Sequence, residues 1–113
     1  MPTLVRTDGA VICERCVVAD RPLRRMKGLL GRRSLPSGEG MLFKPGGSIH
    51  TAFMRFPIDV VFLDAGLTVL SIVPELPAFR TARARGAKVT VELSAGECAR
   101  HALAVGDRLE LRD

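Results

Sequence analysis

Short apolar runs dominate this chain, most of them broken by glycine, proline or aspartate before they reach helical length. Thr3 to Cys13 reads as two strands around Asp8-Gly9, a usable hairpin turn. Cys16 to Ala19 continues as a strand, and Met41 to Phe43 forms another after the loop-like stretch Leu35 to Gly40. Lys44-Pro45-Gly46-Gly47 closes that strand. Ile58 to Leu63 is nearly all apolar, as expected of a strand covered on both faces. Pro57 separates it from a preceding strand, Ser48–Met54, because proline cannot donate to a ladder and restrains Phe56 before it. Asp64-Ala65-Gly66 turns the chain into Thr68–Val73, and Pro74 and Pro77 mark an irregular or edge segment. Lys88 to Leu93 alternates: Val89, Val91 and Leu93 are predicted inward, and Lys88, Thr90 and Glu92 outward, on a half-buried strand. Gly106-Asp107 leads into a last strand, Arg108–Leu111.

Helical spacing occurs in two places. Leu23, Met26, Leu29 and Leu30 recur on one face, with Pro22 suited to the first turn and Gly31 to the stop. Ser94-Ala95-Gly96-Glu97 matches a capping box and predicts a short helix to about Leu103. Seven or eight short strands and two short helices imply a mostly β fold (α+β by helix content), a compact closed barrel or a sandwich. With 113 residues and no repeat, low-complexity tract or linker, residues 1–113 read as one domain.

Composition adds limits. The chain has five Phe but no Trp and no Tyr, which weakens functions that need stacking platforms for bases or sugars. Its formal charge of +5 is unevenly spread. Arg21, Arg24, Arg25, Lys27, Arg32 and Arg33 cluster without an intervening acid, and Arg80, Arg83, Arg85 and Lys88 form a second basic stretch. Such clusters either attract phosphates and anionic surfaces or are simply a solvated arginine-rich face. Met1 to Gly9 lacks the apolar segment of a secretory signal, and no apolar run approaches the roughly 18 residues of a membrane span. The odd set Cys13, Cys16 and Cys98 fits reduced thiols, so the expectation is a cytoplasmic protein without membrane contact.

Candidate chemistry concentrates in the most apolar stretch. His50, Thr51, Met54, Arg55 and Asp59 lie within ten residues. A carboxylate between Ile58 and Val60 needs partners if buried, and His50, Thr51, Arg55 or backbone N–H groups are the candidates. One reading is a polar network that only fixes the fold. The other is a cleft in which His50 and Arg55 grip an anion or His50 acts as acid or base. Methionine at 54 is more often core than contact. The sulfur residues offer a second constellation. Cys13, Cys16, Cys98 and His101 would make a Cys₃His zinc set if the fold joined them. On one strand, however, Cys13 and Cys16 would point to opposite faces. A redox dithiol lacks the usual helix-opening context, and inert thiols are the favoured reading. Phosphate-loop, dinucleotide, metalloprotease and nucleophile-elbow signatures are missing, so no cofactor is expected.

The runs GLLGRRSLPSGEGMLF, SIHTAFMRFPIDVVFLD, VELSAGE and VGDRLEL occur in an order that resembles the domain of unknown function 192 family. The resemblance covers about residues 12–111. Phe53 stands where many members carry another aromatic, often Trp. The resemblance implies a compact β-barrel or sandwich with short helices and no established activity. It carries over Gly28, Leu29, Gly40, Met41, His50, Met54, Arg55, Asp59, Glu92, Gly96, Gly106 and Asp107, mostly as fold-making positions.

Three functions follow, in order of preference. The first is a non-enzymatic module that binds a small anionic ligand or a peptide near His50, Arg55 and Asp59. The second is a nucleic-acid-binding surface made by Arg24, Arg25, Lys27, Arg32, Arg33 and the 80–88 stretch. The third is a hydrolase or lyase with His50 as acid or base.

Overall fold

A computed structural model describes residues 2–19, 35–44, 48–50, 56–77 and 80–113, with the backbone alone at 48–50. Among these residues there are ten strands and one short helix. In chain order they are β1 (Thr3–Arg6), β2 (Val11–Cys13), β3 (Arg15–Ala19), β4 (Glu39–Phe43), β5 (Ser48–His50), β6 (Ile58–Leu63), β7 (Val69–Leu76), β8 (Thr81–Arg83), β9 (Val89–Ser94), α1 (Glu97–Arg100) and β10 (Leu109–Arg112). They form a three-stranded sheet β10-β1-β2, a five-stranded sheet β3-β4-β9-β6-β7 and a ribbon β5-β8. The fold is thus mostly β and sandwich-like, and among the described residues it is not a closed barrel. The helix expected around Leu23–Leu30, the turn at 45–47 and the strand expected beyond His50 lie outside the described residues.

The main core lies between the two larger sheets. Leu4, Ile12, Cys13 and Leu109 of the small sheet meet Cys16, Leu42, Val61, Leu63, Val91 and Leu93 of the large one. Val17, Met41, Val60 and Phe62 occupy the large sheet's opposite face, because residues one apart on a strand point to opposite faces. The β8 side of the ribbon packs there, with Ala82 against the cluster of Ile58, Val60, Phe62 and Leu76. Both faces of the large sheet are therefore covered, and all six residues of β6 are buried.

The same cover corrects the expectation for the 88–93 strand. β9 lies between β4 and β6, and the supposedly outward Thr90 and Glu92 are buried, Glu92 at 4% exposure. The β1–β2 hairpin matches its expected turn, with Gly9 in the left-handed region and Asp8 accepting from Ala10. β7 is an edge strand, which is why it tolerates Pro74. Its register against β6 slips by one residue between Val73 and Leu76, a bulge that holds Pro74 and Glu75. The capping box does not form: Gly96 is the N-cap of α1 without a side-chain cap, and Ser94 ends β9. No helix among the described residues is long and apolar enough to cross a membrane.

Gly40 shows how tightly the large sheet meets the small one. A Cβ on it would lie 2.7 Å from the Glu92 carbonyl oxygen, 2.9 Å from Leu93 Cδ2 and 3.0 Å from Cys13 Sγ. The nearest of these is backbone in the middle of the sheet and has no room to give. Gly40→Ala is therefore expected to cost about 1–3 kcal/mol, seen as a lower urea midpoint with an unchanged slope.

Candidate functional site

Asp59 lies on β6 with its side chain on the main-core face, alongside Val61 and Leu63, and is fully buried. Its Oδ1 accepts the N–H groups of Glu75 at 2.9 Å and Gly96 at 3.1 Å. Its Oδ2 accepts the Cys98 N–H at 2.8 Å. One carboxyl group thus ties the bulge of β7 and the entry to α1 to the centre of the sheet. Glu75 pays a conformational cost to reach it, with a φ of 50° in the left-handed region. These backbone donors were among the partners the sequence offered for Asp59.

One register position away, the opposite face holds a carboxyl group in a different situation. Glu92 pairs with Met41 on β4 and Val60 on β6, and the same row continues to Val17 on β3 and Val73 on β7. A lone glutamate therefore sits mid-row among apolar side chains. Among the described residues it makes no ion pair, and burial pushes its pKa up to about 8. At neutral pH it is mainly an uncharged acid with one O–H to donate.

The thiols and α1 share the far end of the main core. Cys13 and Cys16 are both buried in the same cluster, which corrects the opposite-face expectation. The bend at Glu14 ends β2 and restarts the alternation in β3. The neighbouring Cys16 thiol lowers the Cys13 pKa, and the Cys13 sulfur together with burial raises that of Cys16. Burial first, then the nearby Asp59, pushes Cys98 up to about 12. His101 turns to Glu97, with Nε2 2.9 Å from Oε2, while the other Glu97 oxygen accepts from Ser37 and Arg100. Burial pushes Glu97 up, but these hydrogen bonds and the Arg100 charge outweigh it and hold the group below its ordinary range. Cys13, Cys16, Cys98 and His101 are not gathered into one ligand set: among the described residues no three His, Cys, Asp or Glu could hold a metal ion.

The remaining candidates divide by position. The backbone of His50 pairs with Thr81, in the ribbon whose β8 strand packs on the Glu92 side of the sheet. Asp59 points to the other side, so its carboxyl group and the ribbon are separated by the sheet. Thr51, Met54, Arg55, Arg24, Arg25, Lys27, Arg32 and Arg33 lie outside the described residues. Arg83, Arg85 and Lys88 are exposed on and after β8. Sequence reasoning placed Glu92 in solvent. The signal that could have found it is an acidic residue within a strand flanked by Val89, Val91 and Leu93, once that strand is known to be central.

The family model of DUF192, described as "Uncharacterized ACR", matches residues 3–111. A Sinorhizobium meliloti protein described as a "putative transcription regulator" superposes with a TM-score of 0.83 at 25% identity, over 97% of this chain and 91% of its own. A protein of unknown function from Novosphingobium aromaticivorans superposes with a TM-score of 0.82 at 26% identity, over 96% of this chain and 82% of its own. No curated protein matches the sequence.

Two substitutions separate the two carboxyl groups. Asp59→Ala orphans three backbone donors and is expected to cost about 3 kcal/mol or more. Amide exchange at Glu75, Gly96 and Cys98 should accelerate with it. For Glu92 the sign is the reverse. Its folded pKa lies above the ordinary 4.5, so between about 4.5 and 8 the unfolded chain binds fewer protons than the native one. The stability tied to its proton is complete below pH 4.5 and is lost as pH rises through 8. Glu92→Gln is therefore expected to be more stable than wild type by on the order of 5 kcal/mol at pH 9. The gap should close towards pH 4.5 in denaturant titrations.

Proposed function

The chain belongs to the DUF192 family, and we propose that it is a non-enzymatic binding module for a small anionic ligand or a peptide. The observation that carries this reading is Glu92: a buried acid in an apolar row, with no ion pair among the described residues. Burying a carboxyl group costs free energy unless something takes its hydrogen bonds, and a ligand oxygen is a suitable acceptor. Because the group is mainly protonated at neutral pH, it donates to an anionic oxygen without repelling it. The β5 strand joins the ribbon on this side of the sheet and carries His50. Thr51, Met54 and Arg55 follow it in the chain, and the Arg55 charge complements an anion. Asp59 enters as the anchor of β6 rather than as a ligand contact, since its oxygens already hold backbone donors. The ladder neighbours of Glu92, Met41 and Val60, carry no proton to relay, which favours holding a ligand over turning one over.

A second reading, binding of nucleic acid, draws on two observations. Arg83, Arg85 and Lys88 are exposed and form no ion pair among the described residues. The Sinorhizobium neighbour is described as a "putative transcription regulator". Phosphate contacts by such a strip would give salt-dependent, sequence-tolerant affinity.

One thermal-shift screen tests both readings on wild type, Arg55→Gln and Glu92→Gln, with carboxylates, phosphates, short peptides and oligonucleotides at low and high salt. The binding-module reading expects one small anion or peptide class to raise the wild-type midpoint while moving neither variant. A shift that survives in Glu92→Gln, or no shift from any small anion or peptide, would sink it. Stabilisation by oligonucleotides alone, lost at high salt and in Arg83→Glu with Arg85→Glu, would establish the second reading in its place.

A further inference from the structure

Cys13 and Cys16 sit at a corner of the fold. Cys13 is the last residue of β2, in the three-stranded sheet, and Cys16 is the second residue of β3, at the edge of the five-stranded sheet. Only Glu14 and Arg15 separate them, and the chain bends at Glu14. Three backbone hydrogen bonds or ladder pairs hold the corner. Arg15 N–H donates to Gly38 O and Cys16 N–H to Pro2 O, both at 2.8 Å, and Cys13 pairs with Leu4. Both sulfurs turn into the main core, where the two thiols interact with each other and Cys13 Sγ donates to Gly38 O at 3.6 Å. The bare Cα of Gly40 leaves the space beside Cys13 Sγ that any other residue would fill.

We propose that Cys13 and Cys16 are a modification site: a dithiol that a low-molecular-weight disulfide such as glutathione disulfide converts reversibly into a bond stapling the two sheets. The Cys13 thiolate attacks one sulfur of the small disulfide and expels one thiolate, leaving a mixed disulfide on Cys13. Cys16 gives up its proton and attacks the Cys13 sulfur, and the second small thiolate leaves. Two protein thiols are oxidised to one disulfide, and one small disulfide is reduced to two thiols. The small disulfide reaches the buried pair when β2 opens, and this three-residue edge strand is held by β1 alone through an irregular register. Cys98 serves as an internal contrast. It is buried in the same core, but its thiol has the Asp59 carboxyl group beside it in place of a second thiol.

The test equilibrates the folded wild-type protein and Cys98→Ser with graded ratios of reduced to oxidised glutathione, followed by acid quench, mass analysis and thermal unfolding. Both proteins should lose two hydrogens without gaining glutathione, and peptide mapping should join Cys13 to Cys16. The melting midpoint should rise on oxidation and return on adding dithiothreitol. Wild type that keeps three free thiols at every ratio would overturn the proposal. So would a stable glutathione adduct in place of the internal bond, or a bond that includes Cys98. A Cys13–Cys16 bond that lowers the midpoint would overturn the staple. Because the reading is made on wild type, it does not depend on whether Cys13→Ser or Cys16→Ser folds.

Discussion

The Asp59 carboxyl group is the constraint on which the rest of this structure depends. It is fully buried, and it accepts N–H groups from residues 16, 37 and 39 positions further along the chain. A hairpin or a helix makes its hydrogen bonds locally, whereas this group makes them between the centre of the large sheet, its outer strand and the only described helix. It also stands in for two local devices. The bulge of β7 would leave the Glu75 N–H turned inward without a partner, and α1 begins on Gly96 without a side-chain cap. Asp59 satisfies both, which explains how a four-residue helix, too short to be stable alone, keeps its place.

The two faces of the five-stranded sheet then take different roles. On the main-core side the described carboxyl groups have named partners: Asp59 backbone donors, and Glu97 the side chains of Ser37, Arg100 and His101. On the ribbon side, Glu92 lies between Met41 and Val60 with nothing charged beside it in its row. Two acidic residues on adjacent strands thus differ in what they do for the protein. One replaces missing caps and strengthens the fold, and the other carries a desolvation cost that holds its proton on to higher pH.

Much of the fold was legible because period-two alternation and turn chemistry act locally. The Asp8-Gly9 hairpin, the all-buried run Ile58–Leu63 and the Asp64-Ala65-Gly66 turn are each decided by residues within a few positions. What was not legible depended on partners distant in sequence. Glu92 looked solvent-facing because alternation reveals that a strand has two faces but not whether both are covered. Only the placement of β9 between β4 and β6 decides that. The Ser94–Glu97 pattern matched a capping box, but Asp59 takes the Gly96 and Cys98 amides from the sheet and Glu97 found other partners. The face argument for Cys13 and Cys16 counted residues correctly along one strand. It failed because Glu14 divides that strand in two.

These features are linked through register. Asp59 faces Leu93 and Val60 faces Glu92 in the β6–β9 ladder. Because strand side chains alternate, holding Asp59 on the main-core face forces Ile58, Val60 and Phe62 to the other, and a one-residue slip would reverse every one of them. The ladder then has a single place for Glu92: on the ribbon side, between Val60 and Met41. The three hydrogen bonds at Asp59 therefore do more than stabilise a corner of the sandwich. They select the register that puts an uncharged acid among apolar neighbours, on the side of the sheet where β5 runs. A buried carboxyl group met by three backbone donors is thus what positions one that lies without a charged partner in its row.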